Sequence, residues 1–206
     1  RKRRGYDMLR FLPVMTGRPV DSVDASGRLL WDLRQTVSEL LAENYIGHLR
    51  KLAHAGGLRL SMESYTTPAN DLEVANYVDE PICEFWWPDG GWVYWSVKAM
   101  ASAAHGNNRP IVGAEAFTAG KLERWQAHPY SLKAVGDRAF CDGVNRMIFH
   151  RYAMQPGPER RPGMMMGRWG LHYERTQTWW EQSTAWHEYL ARCQYMLRQG
   201  LFVADV

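Results

Sequence analysis

Four times along this chain a short apolar run meets a polar residue capable of chemistry and then gives way to a loop or a helix-like stretch. Leu58-Arg59-Leu60-Ser61-Met62 ends at Glu63, and Ile82-Cys83-Glu84-Phe85-Trp86 carries Glu84. Pro110-Ile111-Val112-Gly113-Ala114 ends at Glu115, and Val144 to Phe149 ends at His150-Arg151-Tyr152. Runs of this length bounded by turn residues read as strands. Between them lie stretches with helical spacing. Leu30, Leu33, Val37, Leu41, Tyr45, Leu49 and Leu52 recur every three to four residues from Leu29 to His54, and Gly56-Gly57 stops the pattern. Val93 to His105, Leu132 to Asp142 and Thr178 to Arg198 read as further helices, the last with Trp179, Trp186, Leu190, Cys193 and Leu197 on one stripe and Gly200 as its cap.

Strands alternating with helices imply an α/β fold with a parallel sheet, and four such units match half of an eight-stranded barrel. The expected architecture is therefore a partial (β/α)8 TIM-type barrel, about strands five to eight with their helices, over residues 1–200. Residues 201–206 read as the start of a following β-containing domain. A doubly wound open sheet is the competing fold, but such a sheet usually has a glycine-rich phosphate loop after its first strand. Met62-Glu63-Ser64-Tyr65 stands there instead.

If the strand ends converge on one face, Glu63, Glu84 and Glu115 share a pocket. Cleaving a glycosidic bond takes two carboxyls, one protonated and one ionised, and clustering raises the pKa of its members. The competing reading makes each a surface residue at a loop entrance; it is weakest for Glu115, set between Ile-Val-Gly-Ala and Phe117. Ten Trp among 206 residues, several beside carboxylates, suit sugars, whose C–H faces pack on rings while their hydroxyls meet planar polar groups. Trp86 and Trp179 are placed with substrate on this ground, together with Glu63, His150, Arg151 and Tyr152, while Trp186 reads as core. Asn70-Asp71-Leu72-Glu73 offers oxygens of the kind a hard cation such as calcium takes, or else a solvated acidic loop.

The remaining composition excludes. Charged residues interrupt every hydrophobic stretch, so no membrane span is expected. The net charge of +3 comes partly from Arg1 to Arg4 and Arg160-Arg161, short runs with no repeating basic face, which argues against nucleic acid. Cys83, Cys141 and Cys193 are far apart and odd in number, so they read as buried free thiols. The opening Arg1-Lys2-Arg3-Arg4, without a Met, reads as cut from a longer protein.

Several motifs then carry a resemblance that spacing alone does not. Arg3-Arg4-Gly5-Tyr6-Asp7, Leu12-Pro13-Val14, Gly113-Ala114-Glu115-Ala116-Phe117, His128-Pro129-Tyr130-Ser131-Leu132-Lys133, Phe149-His150-Arg151-Tyr152 and Gly170-Leu171-His172-Tyr173-Glu174-Arg175-Thr176 together resemble the α-L-rhamnosidases of glycoside hydrolase family 106. Ser64 and Met165 stand where the family often has Pro and Thr. The resemblance implies hydrolysis of terminal α-L-rhamnosyl residues from a rhamnose-containing glycan, with inversion and with help from calcium. Glu115 and Glu84 become the catalytic candidates, Glu115 first as the base. The general acid is expected upstream of residue 1, which would leave this segment inactive alone, and a periplasmic or secreted location is favoured over the cytoplasm. Another barrel glycosidase of the β-galactosidase kind, or a non-catalytic carbohydrate-binding fragment, remains open at this point.

Overall fold

The computed structural model describes residues 1–161 and 163–203, and the chain divides into two compact units, one of Arg1–Leu60 with Thr66–Val78 and one of Ser61–Tyr65 with the chain from Asp79 onward. In the first unit Ser22 accepts a hydrogen bond from the Ala25 amide at 3.0 Å and so caps helix α1 (Val23–Leu40). That cap starts the helix six residues before the apolar stripe suggests. The helix runs through a π turn (Leu41–Ile46) into α2 (Gly47–Ala55). Its acidic side meets the basic N-terminal cluster: Arg4 Nη2 lies 2.6 Å from Glu39 Oε1, and Arg3 Nη2 lies 2.5 Å from Glu43 Oε2. The Arg cluster is thus largely engaged within the chain. A short helix α3 (Asp71–Ala75) replaces the expected loop, because Asn70 Oδ1 accepts from the Leu72 and Glu73 amides at 3.0 and 3.2 Å.

The second unit holds four parallel strands in sequential order: β1 (Ser61–Glu63), β2 (Glu80–Trp86), β3 (Gly113–Thr118) and β4 (Arg146–Phe149). The expected α/β class and parallel sheet are present. Helix α4 (Trp95–Gly106) crosses between β2 and β3, and α5 (Pro129–Cys141) between β3 and β4, the connection parallel strands require. Side chains alternate across the sheet. Cys83, Phe85, Ala114 and Ala116 are fully buried on one face, where α4 packs on β2 and α5 on β3. Glu84, Trp86 and Glu115 lie half-buried on the other.

One irregularity sets the site. Phe85 pairs with Ala116 but Trp86 pairs with Thr118, so Phe117 is an extra residue in β3, with φ of +61°. Such a bulge resets the alternation. Phe117 turns its ring into the core, 4.9 Å from Phe85, 5.1 Å from Phe149 and 6.1 Å from Trp186. Thr118 consequently joins the face that carries Glu115.

Several expectations need correction. Glu84 and Glu115 lie inside their strands and not at the ends, since β3 starts at Gly113 and runs on to Thr118. The preceding Pro110 has no amide hydrogen to contribute, and the Val112 amide donates to Asn145 Oδ1 and not to a ladder. The last helix, α6 (Thr184–Leu197), begins later than Thr178, after a 3₁₀ turn at Trp180–Gln182, and ends before Gly200. Trp186 and Leu190 alone of its stripe are buried; Leu197 is exposed. Of the thiols, Cys83 is buried but Cys141 is exposed and Cys193 half-buried. Leu201–Val203 belong to no strand, and residues 204–206 of the expected new strand lie outside the described residues, as does Pro162. Among the described residues no helix is long and apolar enough to cross a membrane.

Below the carboxyl level, Ile82, Gly113 and Arg146 stand side by side on β2, β3 and β4. The missing side chain at Gly113 clears the way for Arg146 Nη1 to reach across β3 to Glu80, which is 5 % exposed. A Cβ at Gly113 would stand 3.0 Å from Ile82 Cγ1. Gly113→Val should therefore destabilise the protein by about 1–3 kcal/mol through overpacking, measured as a lower urea midpoint at unchanged m. An unchanged midpoint would show that the face has room to spare.

Candidate active site

Register and alternation together place the first three candidates. Glu84 on β2 pairs directly with Glu115 on β3, and Glu63 on β1 pairs with Ile82, two residues before Glu84 on the same face. Adjacent strands lie about 4.8 Å apart, so the Glu84 and Glu115 carboxyls share one level of the sheet and Glu63 stands on the same face one step below them. The charges of Glu115 and Glu84 act on Glu63, and that of Glu115 acts on Glu84.

The groups around each carboxyl differ. Glu84 accepts from the Tyr65 hydroxyl at 2.6 Å and from Trp86 Nε1 at 2.5 Å, one donor on each oxygen. Burial raises its pKa, the Tyr65 and Trp86 bonds pull it back, and the Glu115 charge raises it again. Glu115 accepts from the Thr118 hydroxyl, which the bulge supplies. His150 Nδ1 stands 3.6 Å from Glu115 Oε1, beyond a direct hydrogen bond, and is buried without another partner. Glu63 is pushed up to about 7, first by desolvation and then by the charges of Glu115 and Glu84.

His150 and Arg151 are held by the segment that follows them. Gly170, at φ +93°, passes so close that a Cβ there would meet Arg151 Cγ at 3.0 Å and His150 Nδ1 at 3.2 Å. Its amide donates to Ala119 O at 2.8 Å, and the Leu171 amide donates to His150 O at 3.0 Å. Arg151 donates through Nη2 to Trp169 O at 3.2 Å, while its Nε and Nη1 are buried without partners among the described residues. Buried donors left unmatched are costly and suit a bound polar ligand.

The structure thus gathers Glu63, Glu84, Glu115, His150 and Trp86, with Arg151 beside His150. Tyr152 and Trp179 join another group of rings: Trp180 lies 5.7 Å from Tyr152, and Tyr173 lies 5.3 Å from Trp179. Tyr65 and Thr118 hold the carboxyls but were not read as site residues from sequence. Tyr65 follows Glu63 closely enough to be noticed; Thr118 is hidden, since simple alternation puts it on the opposite face from Glu115. In the first loop the side-chain oxygens take part in local bonds. Asp71 accepts from the Thr66 amide at 3.3 Å and the Thr67 hydroxyl at 3.4 Å, Asn70 caps α3, and Glu73 accepts from Ser38 at 3.0 Å. Among the described residues no three His, Cys, Asp or Glu side chains form a ready metal cage. The strand carboxyls are nevertheless hard oxygen donors whose mutual repulsion a cation would relieve.

Crowded carboxyls, an indole and buried donors left unmatched thus share one face of a parallel α/β sheet, groups of the kind that carbohydrate-cleaving hydrolases use. The sequence pattern of glycoside hydrolase family 106, alpha-L-rhamnosidase, matches residues 1–206, and the chain belongs to that family. A protein of Formosa agariphila provisionally named a beta-glucuronidase is 43 % identical over 204 residues, 98 % of this chain and 17 % of that protein. The structure of a rhamnosidase from Novosphingobium sp. PP1Y superposes with a TM-score of 0.87 at 30 % identity, over 99 % of this chain and 20 % of that one. The chain therefore spans about a fifth of the length of these relatives.

A carboxyl whose pKa is higher folded than unfolded favours folding at low pH, and that contribution is lost as pH rises through its folded value, here about 7. Glu63→Gln, which cannot ionise, should accordingly raise Tm at pH 8 in calcium-free buffer and leave it unchanged at pH 4. Because the Glu63 side chain is only partly withdrawn from water, screening holds the gain below about 1 kcal/mol. Equal effects at both pH values would show that the three carboxyls do not share charge.

Proposed function

We propose that this chain supplies part of the catalytic face of an enzyme that removes terminal α-L-rhamnosyl residues from glycans with inversion, Glu115 acting as the base. The observation that carries the proposal is the direct pairing of Glu115 with Glu84 beside Glu63. Four parallel strands in sequential order, each linked through helix, support reading the sheet as strands five to eight of a (β/α)8 barrel.

The roles divide by hydrogen bonding. Both Glu84 oxygens already accept, from Tyr65 and Trp86, which fixes the group and engages both of its oxygens. Glu115 takes one side-chain donor, from Thr118, and faces His150. It is the better group to accept a proton from water, with His150 Nδ1 and Arg151 available to sugar hydroxyls or to that water. Inverting enzymes separate acid and base by about 6.5–9.5 Å to admit water. Glu84 is too close to Glu115 for that, so we assign Glu84 to orienting the sugar and place the acid outside these four strands. Tyr152 and Trp179 serve the site's edge in this reading.

Calcium, implied by the family, fits the oxygen chemistry of the cluster, and Glu63 is the residue that would hold it. Bound there, it would neutralise the crowded carboxyls and polarise sugar hydroxyls. The enzyme's location is proposed as periplasmic or secreted. The name of the Formosa relative favours one rival substrate, a β-D-glucuronoside. Assaying the full-length protein on 4-nitrophenyl α-L-rhamnoside and 4-nitrophenyl β-D-glucuronide separates the two.

General-base catalysis contributes typically about 10²- to 10⁴-fold. Glu115→Gln should lower kcat on the aryl rhamnoside by about that factor with KM nearly unchanged, and azide, which needs no deprotonation, should restore turnover. A raised KM with intact kcat would make Glu115 a sugar-binding residue and transfer the base to Glu84. For the cation, chelation should reduce activity and added calcium restore it; a chelator-insensitive enzyme removes calcium from the mechanism.

A further inference from the structure

Beside the carboxyl cluster lies a cavity of about 370 Å³ that the proposed chemistry does not use. Trp86 joins the two, since its ring lines the cavity while its Nε1 donates to Glu84. Trp169 stands edge-on to it with ring centroids 5.2 Å apart, and Trp87 completes the aromatic wall. The volume falls within the range of small-ligand sites.

The loops that form the walls are fixed. Buried Glu123 accepts from the Trp125 and Ala127 amides at 2.9 and 3.2 Å and meets His172 Nδ1 at 2.5 Å, while the Gly170 amide ties the 166–170 turn to Ala119. The rim is cationic. Lys121 and Arg168 are both exposed, and neither has a carboxylate partner among the described residues. Arg168 lies over the Trp169 ring at 4.4 Å. Glu123 is the only carboxylate among the lining residues, and its oxygens are engaged by the two amides and His172. The cavity therefore presents ring faces and net positive charge next to the candidate catalytic groups.

We propose that this cavity is the subsite for the sugar adjoining the cleaved residue and that it selects an anionic sugar there, bearing a carboxylate or a sulfate. Trp86 and Trp169 take the apolar ring face, and Lys121 and Arg168 take the charge. The assignment rests on reading the protein as a glycan hydrolase.

The test measures dissociation constants by ligand-observed NMR on the full-length protein. Its probes are methyl β-D-glucuronide, methyl β-D-glucopyranoside 6-sulfate and neutral methyl β-D-glucopyranoside. At low salt one or both anionic probes should bind about tenfold more tightly than the neutral one, as two partly exposed charge contacts allow, and the tighter of the two names the charged group. Lys121→Ala with Arg168→Ala should bring the ratio to about one, as should 1 M salt. Because the readout is a ratio, a general loss of folded protein cancels. Equal binding of all three probes, no binding, or a preference that survives in the double variant overturns the subsite. Hydrolysis of the aryl rhamnoside on the same sample keeps the two readings apart: anionic preference without hydrolysis sinks the rhamnosidase assignment alone, and hydrolysis without preference sinks this one alone.

Discussion

In-register parallel pairing of β2 with β3 forces the Glu84 and Glu115 carboxyls side by side, and the other polar groups of the site answer that constraint. Two like charges one strand spacing apart cannot both ionise freely unless donors or a cation compensate. Tyr65 and Trp86 compensate Glu84, and Thr118 compensates Glu115. Glu63, at the edge strand, is raised to about 7 by burial and by the charges of Glu115 and Glu84, which a bond from Tyr65 only partly offsets. The asymmetry among otherwise equal residues comes from donors fixed on the same strand or just after the neighbouring one, and the proposed division between base and orienting group rests on it.

The two faces of the sheet do different work with the same residue spacing. Small and aromatic side chains on the covered face let α4 and α5 approach closely, and burying a ring such as Phe85 stabilises by about 1.5–3 kcal/mol. That rigidity is what the open face needs, because a base misplaced by about 1 Å loses much of its effect. Lower on the open face, the Arg146–Glu80 ion pair across Gly113 gives the site a polar floor without a side chain in between.

How much of this was legible in the sequence depends on the range of the forces involved. The order of strands and helices and the shared face of Glu63, Glu84 and Glu115 follow from short-range periodicity, which any local window records. The cap at Ser22 and the helix at Asp71–Ala75 were missed because one hydrogen-bonding side chain, and not a pattern, sets each of them. Exposure of Cys141 was misread since thiol burial depends on which face of α5 meets the sheet. The use of Asn70 and Asp71 in local caps depends on geometry that composition does not encode. Thr118 was invisible for a different reason: its position follows from a bulge, and nothing in Gly-Ala-Glu-Ala-Phe-Thr announces where the count of residues will slip.

That slip makes β3 sensitive to length in a way that β2 is not. Residues before Phe117 and residues after it are out of phase with each other, as two halves of a zipper joined with one tooth extra. Regular alternation through the same residues would turn the Phe117 ring toward the carboxyls and the Thr118 hydroxyl into the packed interior. A substitution there disturbs one face; straightening the bulge exchanges the two. Two residues separate Glu115 from Thr118 where an unbroken strand would need one, and the backbone turn at Phe117 that absorbs the difference couples the core to the chemistry above it.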